Sequence, residues 1–315
     1  MLKPIKLANK HFLSSVDISI AEINHIIELA KNFKSKALEM EFKNKVLGLI
    51  FDKSSTRTRV SFQVAMSRLG GSTIDLNPST SQIGRGEQIK DTARVLSRYC
   101  DILAIRTFNQ SVLEEYAEWS SIPVINALTD LEHPCQILAD FMTIKEEFGG
   151  FKDIVLTYIG DGNNVANSLL LSGLLLGIKV RIACPKGYEP PRSIIEKATH
   201  LDPLKQNFLI TNDLNKAVIG SNVLYTDVWS SMGEEENSEK KDKFFKGFSI
   251  NKSILDKSSG NTIILHCLPA YRGKEITDEI IESSNSRVFE QAENRLHAQQ
   301  ALLASMLTKV PYFSV

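Results

Sequence analysis

The feature that most constrains the fold of this 315-residue chain is its regular alternation of short apolar runs with helical patterns. Apolar runs rich in β-branched residues predict buried strands, and the helices between them predict crossover connections of a parallel sheet. The predicted strands lie at 46–51, 72–76, 102–105 and 124–125, and then at 154–159, 180–183, 208–211, 223–226 and 262–266.

The predicted strands form two series, separated by a predicted helix from about residue 135 to residue 148. We therefore predict an α/β protein with two domains, 1–148 and 149–291, each a parallel β-sheet flanked by helices. An amphipathic helix from about residue 292 follows the second sheet and must bury its apolar side. We expect residues 292–315 to pack back on the first domain.

Composition and charge exclude several classes of protein. Lys+Arg and Asp+Glu are both 37, so the net charge of zero argues against a nucleic-acid partner. The longest apolar stretch, residues 169–176, is far shorter than the roughly 20 residues of a membrane span, and no secretory signal is visible. The chain has four cysteines, Cys100, Cys135, Cys184 and Cys267. Their spacing matches neither a metal-binding motif nor the disulfide framework of a small secreted protein. We expect a cytoplasmic protein without a membrane partner.

One segment, residues 233–246, differs from the rest because it is highly charged and lacks apolar periodicity. This pattern predicts a mobile surface loop. The segment directly follows candidate site residues at 227–232, so the loop is expected beside a ligand.

Polar residues follow three predicted strands of the first domain, where ligands bind in open parallel sheets. Residues 54–59 read Ser-Ser-Thr-Arg-Thr-Arg and lead into a helix, whose N-terminus favours anions. Arg106 follows the third strand, and His133 comes shortly after the fourth. Residues 54–59 alone are also compatible with a helix cap and solvated arginines. The three strand ends together predict a site for a small, strongly anionic ligand.

These motifs resemble the aspartate/ornithine carbamoyltransferase family over nearly the whole chain. The first half carries residues 55–59, Arg106 and 133–136 (His-Pro-Cys-Gln), in the family's order. The second half resembles the ornithine branch of that family. Its matching segments are 227–233 (Asp-Val-Trp-Ser-Ser-Met-Gly), 266–269 (His-Cys-Leu-Pro) and 293–297 (Glu-Asn-Arg-Leu-His).

The resemblance implies that the first domain binds carbamoyl phosphate, with Thr58, Arg106 and His133 as donors to the oxyanion formed during transfer. The remaining implied carbamoyl-phosphate contacts are Ser55, Thr56, Arg57, Gln82, Pro134, Cys135, Gln136, Cys267, Leu268 and Arg295. Gln82 matches a residue that reaches the neighbouring subunit's site in the family. A homotrimer is therefore implied.

The resemblance further implies that the second domain binds ornithine. Asp227 is expected to pair with the α-ammonium, and Asn167, Ser231 and Met232 to hold the carboxylate end. Cys267 is a candidate catalytic residue, interpreted as a hydrogen-bonding group rather than a nucleophile, because direct attack by the δ-amine needs no acyl-enzyme. The implied reaction forms citrulline and requires neither cofactor nor metal.

Parts of the sequence are also compatible with other functions. Gly160-Asp161-Gly162 after a strand suggests a nicotinamide-dependent dehydrogenase, but Val165 replaces the third glycine of that fingerprint. A non-catalytic binding protein for carbamoyl phosphate or an amino acid would not need both half-sites. Carbamoyltransferases for putrescine or N-acetylornithine share the first half-site, and residues 231–233 argue against them.

Overall fold

The computed structural model describes residues 2–77, 86–230 and 238–310. Its strands are β1 (Val46–Phe51), β2 (Ser72–Leu76), β3 (Ile102–Arg106), β4 (Val124–Leu128), β5 (Val155–Ile159), β6 (Lys179–Ala183), β7 (Phe208–Thr211), β8 (Val223–Thr226) and β9 (Ile263–His266). Its helices are α1 (Ile20–Lys34), α2 (Thr56–Arg68), α3 (Ile89–Tyr99), α4 (Gln110–Trp119), α5 (Pro134–Phe148), α6 (Asn164–Leu175), α7 (Arg192–Leu201), α8 (Leu214–Val218), α9 (Ser238–Phe245), α10 (Lys252–Leu255), α11 (Asp278–Ile281) and α12 (Val288–Leu307).

The chain divides into two compact units, of which the first comprises Met1–Met142 and Asn294–Val315. This unit contains a parallel sheet in the order β2-β1-β3-β4. Every residue of β3 and β4 is buried, and β2 is the exposed edge strand. The predicted return of the C-terminal helix to the first sheet's unit is confirmed from Asn294 onward.

The second unit, Thr143–Glu293, contains a parallel sheet in the order β7-β6-β5-β8-β9. Strands β5 and β8 inside this sheet and β9 at its edge are almost entirely buried, as apolar strands covered on both faces are. Residues of α8, α10 and α11 pack with the sheet in one apolar core, which includes Leu224, Ile254 and Ile280. The predicted class, two parallel-sheet α/β domains, is confirmed.

Side-chain caps fix the beginnings of several helices. Ser19 forms a capping box with Glu22 at the start of α1, so two backbone N–H groups are satisfied reciprocally. Ser55 caps α2 by accepting a hydrogen bond from the backbone N–H of Thr58, and Asn163 caps α6. The last two caps lie immediately after β1 and β5, and they therefore fix the geometry of both strand ends.

The structure corrects two local predictions. The predicted mobile loop at 233–246 is wrong from Ser238 to Phe245, where α9 forms, and its residues 233–237 lie outside the described residues. Helix α9 is held by the fully buried Phe245, whose ring stacks with Trp229 at a centroid distance of 5.8 Å. The fourth strand was predicted to end at Ile125 but continues to Leu128, because Asn126 is buried and hydrogen-bonded to the backbone of Leu13.

None of the helices in the described ranges is long and apolar enough to cross a lipid bilayer.

Candidate active site

In the first unit, the carboxyl ends of β1, β3 and β4 meet at one edge of the sheet. Phe51 pairs with Arg106, and Arg106 pairs with Leu128, so the segments that follow these strands are neighbours. The chain crosses from β1 to β2 on one side of β1 and then returns to β3 on the other side. Such a reversal of strand order opens a crevice in which ligands bind in parallel sheets.

The segment after β1 carries the predicted phosphate loop. Ser55 and its cap begin α2, while Thr56 and Arg57 are exposed to solvent at the first turn. Thr58 is buried, and its Oγ1 accepts a hydrogen bond from Nη2 of Arg295 at 2.6 Å. The loop therefore combines exposed donors at a helix N-terminus with one hydroxyl fixed by an arginine of α12.

Arg106 and Arg295 are both buried, and they lie close enough to His133 to act on its protonation. Burial, followed by the positive charges of Arg295 and Arg106, lowers the pKa of His133 well below its usual range. His133 is therefore a neutral imidazole at physiological pH. The structure thus brings together Thr58, Arg106, His133 and Arg295, which the sequence predicted as members of one site.

The residues after His133 form the first turn of α5, and all of them are buried. Pro134 is the first residue of the helix, where its missing N–H costs no hydrogen bond. The Sγ of Cys135 donates to the carbonyl oxygen of Asn126 at 3.2 Å, so this thiol faces the sheet. Burial raises the pKa of Cys135 to about 12, and the group is a protonated thiol.

In the second unit, strand order reverses between β5 and β8, and candidate residues follow these strands. Asp227 directly follows β8 and is buried. Its Oδ2 accepts from Nδ2 of Asn163 at 2.9 Å, and its Oδ1 accepts from the backbone N–H of Val228 at 2.8 Å. Asn167, buried on α6, lies one turn beyond Asn163. The site of the second unit therefore carries a buried carboxylate, whereas the site of the first unit carries buried arginines.

Cys267 follows β9, and its Sγ donates to Oδ1 of Asp227 at 3.0 Å. Asp227, His266 and Cys267 offer three potential metal ligands within 4.8 Å of one another. However, Nδ1 of His266 accepts from the backbone N–H of Leu268 at 2.9 Å, and Nε2 lies 3.2 Å from Glu275. Both ring nitrogens are thus engaged, so the arrangement is a hydrogen-bond cluster that orders the Cys267-Leu268 segment.

Three predicted site residues, Gln82, Ser231 and Met232, lie outside the described residues. Conversely, the sequence interpretation missed Asn163 and His266, which hydrogen-bond to the site segments of the second unit. Each had a detectable signal: Asn163 follows β5 as the polar residue that caps α6, and His266 is the last residue of β9.

Comparison with known proteins assigns the two parts of the chain to one family. Residues 10–146 match the carbamoyl-P binding domain of the aspartate/ornithine carbamoyltransferases, and residues 152–306 match their Asp/Orn binding domain. The chain belongs to the aspartate/ornithine carbamoyltransferase family. The resemblance inferred from the sequence is thereby confirmed.

Individual members of the family are similar to this chain over almost its whole length. An ornithine carbamoyltransferase of Prochlorococcus marinus (strain MIT 9312) is 69% identical, covering 98% of this chain and 100% of that protein. The solved ornithine carbamoyltransferase from Pyrococcus furiosus is 46% identical, covering 95% of this chain and 97% of that one, with a TM-score of 0.90. A solved N-acetyl-L-ornithine transcarbamylase mutant is 30% identical, covering 95% and 100%, with a TM-score of 0.84.

Proposed function

We propose that this protein transfers the carbamoyl group of carbamoyl phosphate to the δ-amine of L-ornithine, giving L-citrulline and phosphate. The observation that carries the proposal is the 69% identity to an ornithine carbamoyltransferase over 98% of the chain. The N-acetylornithine enzyme is only 30% identical at similar coverage, which favours unmodified ornithine as the acceptor.

The site of the first unit fits the donor substrate. Carbamoyl phosphate carries a dianionic phosphate, and attack on its carbonyl carbon places a negative charge on the carbonyl oxygen. Residues 55–58 are proposed to bind the phosphate, with Arg295 fixing Thr58. Arg106 and His133 are proposed to donate to the carbonyl oxygen, where one well-placed donor is typically worth about 3–4 kcal/mol of transition-state stabilisation.

The neutral state of His133 supports this assignment, because a neutral imidazole can donate a hydrogen bond without transferring a proton to the carbamoyl group. Burial beside Arg295 and Arg106 maintains that state. The proton released by the attacking amine is proposed to leave with the departing phosphate. Ornithine would then react as its neutral amine, a minor species at pH 7 given a lysine-like pKa of about 10.4.

The site of the second unit fits the acceptor substrate. Asp227 is proposed to bind the α-ammonium, in the position where it now accepts from Asn163 and Cys267. Asn167, Ser231 and Met232 are proposed to hold the carboxylate end. Cys267 and Leu268 are proposed to contact the carbamoyl group, with Cys267 as a hydrogen-bonding residue.

An assay of phosphate release from carbamoyl phosphate with a panel of amines tests the proposal, and the product formed from L-ornithine is identified as citrulline. The panel comprises L-ornithine, putrescine, N-acetyl-L-ornithine and L-aspartate at matched concentrations. We expect product with L-ornithine at a rate at least 100-fold above the other amines, since a site built around a substrate's charged groups rejects analogues that lack them. Faster turnover of putrescine or N-acetyl-L-ornithine would overturn the assignment of the acceptor.

The assembly and cellular setting are also proposals. We propose a homotrimer in which Gln82 completes a neighbouring subunit's site, as the family resemblance implies. Co-assembled Gln82→Ala and Arg106→Ala subunits should then recover activity that neither variant has alone, and failure of verified mixed trimers to do so would count against the shared site. We also propose a cytoplasmic role in arginine biosynthesis. The setting is supported by the four cysteines, all within the described ranges and none in a disulfide.

A further inference from the structure

Helix α5 contains a buried pair of polar side chains, Gln136 and Asp140. The family resemblance implies a carbamoyl-phosphate contact for Gln136, but nothing described above gives Asp140 a role. Gln136 and Asp140 lie four residues apart, on one face of the helix, and neither is exposed to solvent. The Nε2 of Gln136 donates to Oδ1 of Asp140 at 2.8 Å. Burial of a carboxyl group costs folding free energy, so we looked to its contact with Gln136 for a functional reason to keep Asp140.

The contact with Asp140 determines which way round the Gln136 amide lies. An amide group has two nearly equivalent orientations, and only its hydrogen-bond partners distinguish them. Oδ1 of Asp140 accepts at this contact, so Asp140 selects the orientation in which Nε2 faces it. Oε1 of Gln136 must then point away from Asp140. In the described part of the chain this oxygen is buried and accepts no hydrogen bond.

A buried acceptor without a donor is unfavourable, and it is compensated when a ligand supplies the donor. Gln136 follows His133 in the first turn of α5, and its backbone N–H donates to the carbonyl oxygen of His133 at 3.0 Å. The other groups of this site, Arg106, Arg295 and Thr58, donate hydrogen bonds and suit the substrate's oxygens. The NH₂ group of carbamoyl phosphate is the only part of that substrate that needs an acceptor.

We propose that Asp140 is a positioning residue that fixes the amide of Gln136 so that Oε1 accepts from the carbamoyl NH₂. Asp140 thereby sets the preference for a carbamoyl over an acetyl group, which has a methyl group in place of NH₂. The inference rests on the proposed function, since it assumes carbamoyl phosphate as the donor substrate. It adds a specificity determinant that does not itself touch the substrate.

Two stable probes separate this role from a general structural one. Phosphonoacetamide resembles carbamoyl phosphate with a methylene in place of the bridging oxygen, and acetonylphosphonate differs from it only by methyl in place of NH₂. Calorimetry should show that the unaltered protein prefers the amide probe by about tenfold or more. Asp140→Ala should remove about tenfold of affinity for the amide probe and leave affinity for the ketone probe within about twofold.

The conservative variant Asp140→Asn keeps the packing but allows both orientations of Gln136, so it should lose about two- to fivefold for the amide probe only. In a Gln136→Ala background, neither Asp140 variant should change the preference further. Asp202→Asn is the matched control, because Asp202 is a buried carboxylate of the second unit that accepts from the backbone N–H of Asn207. It should leave both affinities unchanged.

The inference is overturned if both probes weaken equally in the Asp140 variants, or if their effects persist undiminished in the Gln136→Ala background. It is also overturned if the unaltered protein binds the two probes equally. Failure of the proposed function is distinguishable, since the unaltered protein would then make no citrulline from carbamoyl phosphate and L-ornithine.

Discussion

The two candidate half-sites occupy the same topological position in two similar sheets, yet they are opposite in charge. In the first unit, buried arginines at positions 106 and 295 surround a neutral His133. In the second unit, a buried Asp227 accepts from an amide and a thiol. Both sites lie where strand order reverses, beyond the carboxyl ends of central strands.

The difference shows that the fold supplies the position and the side chains supply the chemistry. A dianionic phosphate and a developing oxyanion require donors, whereas an ammonium group requires an acceptor. The supporting contacts also differ: Arg295 fixes Thr58 in the first site, whereas Asn163 and Cys267 fix Asp227 in the second. Variants of each site should therefore fail in different ways.

The largest effect is expected for Arg106→Ala. Arg106 is the proposed cationic donor to the carbonyl oxygen, so its removal should lower kcat/KM for carbamoyl phosphate by about 10³-fold, since loss of a single oxyanion donor typically costs about 10²–10³ in rate. Steady-state citrulline formation measures the change. Arg192→Ala is the matched control, because Arg192 is exposed and pairs with Glu196 on the surface. A loss below tenfold for Arg106→Ala would remove it from the oxyanion site.

A smaller effect, confined to the acceptor substrate, is expected for Asp227→Asn. This variant keeps the shape of the side chain but loses the charge that should bind the α-ammonium. kcat/KM for ornithine should fall by about 10²-fold, as for other hydrogen bonds to a charged group. Calorimetric affinity for phosphonoacetamide should stay within about twofold of the original. Equal weakening of both ligands would mean that the two half-sites do not divide the substrates as proposed.

Variants of Cys267 sharpen the account of the second site. The thiol donates to Asp227, so Cys267→Ser retains a donor and should keep kcat/KM for ornithine within about fivefold. Cys267→Ala removes the donor and should cost about tenfold. A covalent nucleophile would behave differently: the serine variant would lose activity by orders of magnitude, and rapid-quench experiments on the original protein would reveal a carbamoylated intermediate.

The smallest effect concerns acid stability of the first unit. His11 accepts a hydrogen bond from the backbone N–H of Val124 at Nδ1, and burial, followed by the charge of Lys10, lowers its pKa to about 4. The unfolded chain, with a histidine pKa near 6.5, binds a proton that the native state rejects between pH 6.5 and 4. Stability is therefore lost as pH falls through that window, and this term vanishes above it.

Urea unfolding of His11→Gln at pH 7 and pH 4.5 measures the contribution of His11. Because this histidine is only half-buried, solvent screening reduces the expected difference to about 1 kcal/mol. Between pH 7 and pH 4.5, the free energy of unfolding should fall by about 1 kcal/mol more in the original protein than in the variant. His200→Gln, at an exposed position on α7, should leave the pH dependence unchanged. Identical losses in both His11 forms would contradict the prediction.

Much of the fold was predictable because buried parallel strands have a strong sequence pattern. The run at 46–51 predicted β1 without error, since its residues are apolar and bounded by polar ones. The predicted end of β4 was too early because Asn126 is polar, and only the structure shows its hydrogen bond to Leu13. Helix α9 was not predicted because its sequence is charged and lacks apolar periodicity. Phe245 nevertheless packs on Trp229 and Tyr188, and these aromatic contacts stabilise the helix.

The candidate site was predictable in its members but not in their connections. Arg106 and His133 follow predicted strands, so sheet topology alone groups them. The contact of Arg295 with Thr58 joins residues 237 positions apart, and no local pattern encodes it. Gln136 and Asp140 are only four residues apart, so helix geometry predicts that they can be in contact. It does not predict that both polar side chains are buried.

The discontinuity of the first unit has a consequence during protein synthesis. Arg295, which holds Thr58, belongs to the segment that begins at Asn294. A ribosome must therefore translate all of Thr143–Glu293 before the proposed phosphate loop can form its contact with Arg295. A nascent chain can assemble the first four strands early, yet it lacks the Arg295 contact that completes the proposed donor site. Prematurely terminated chains should consequently not sequester carbamoyl phosphate from completed enzyme molecules.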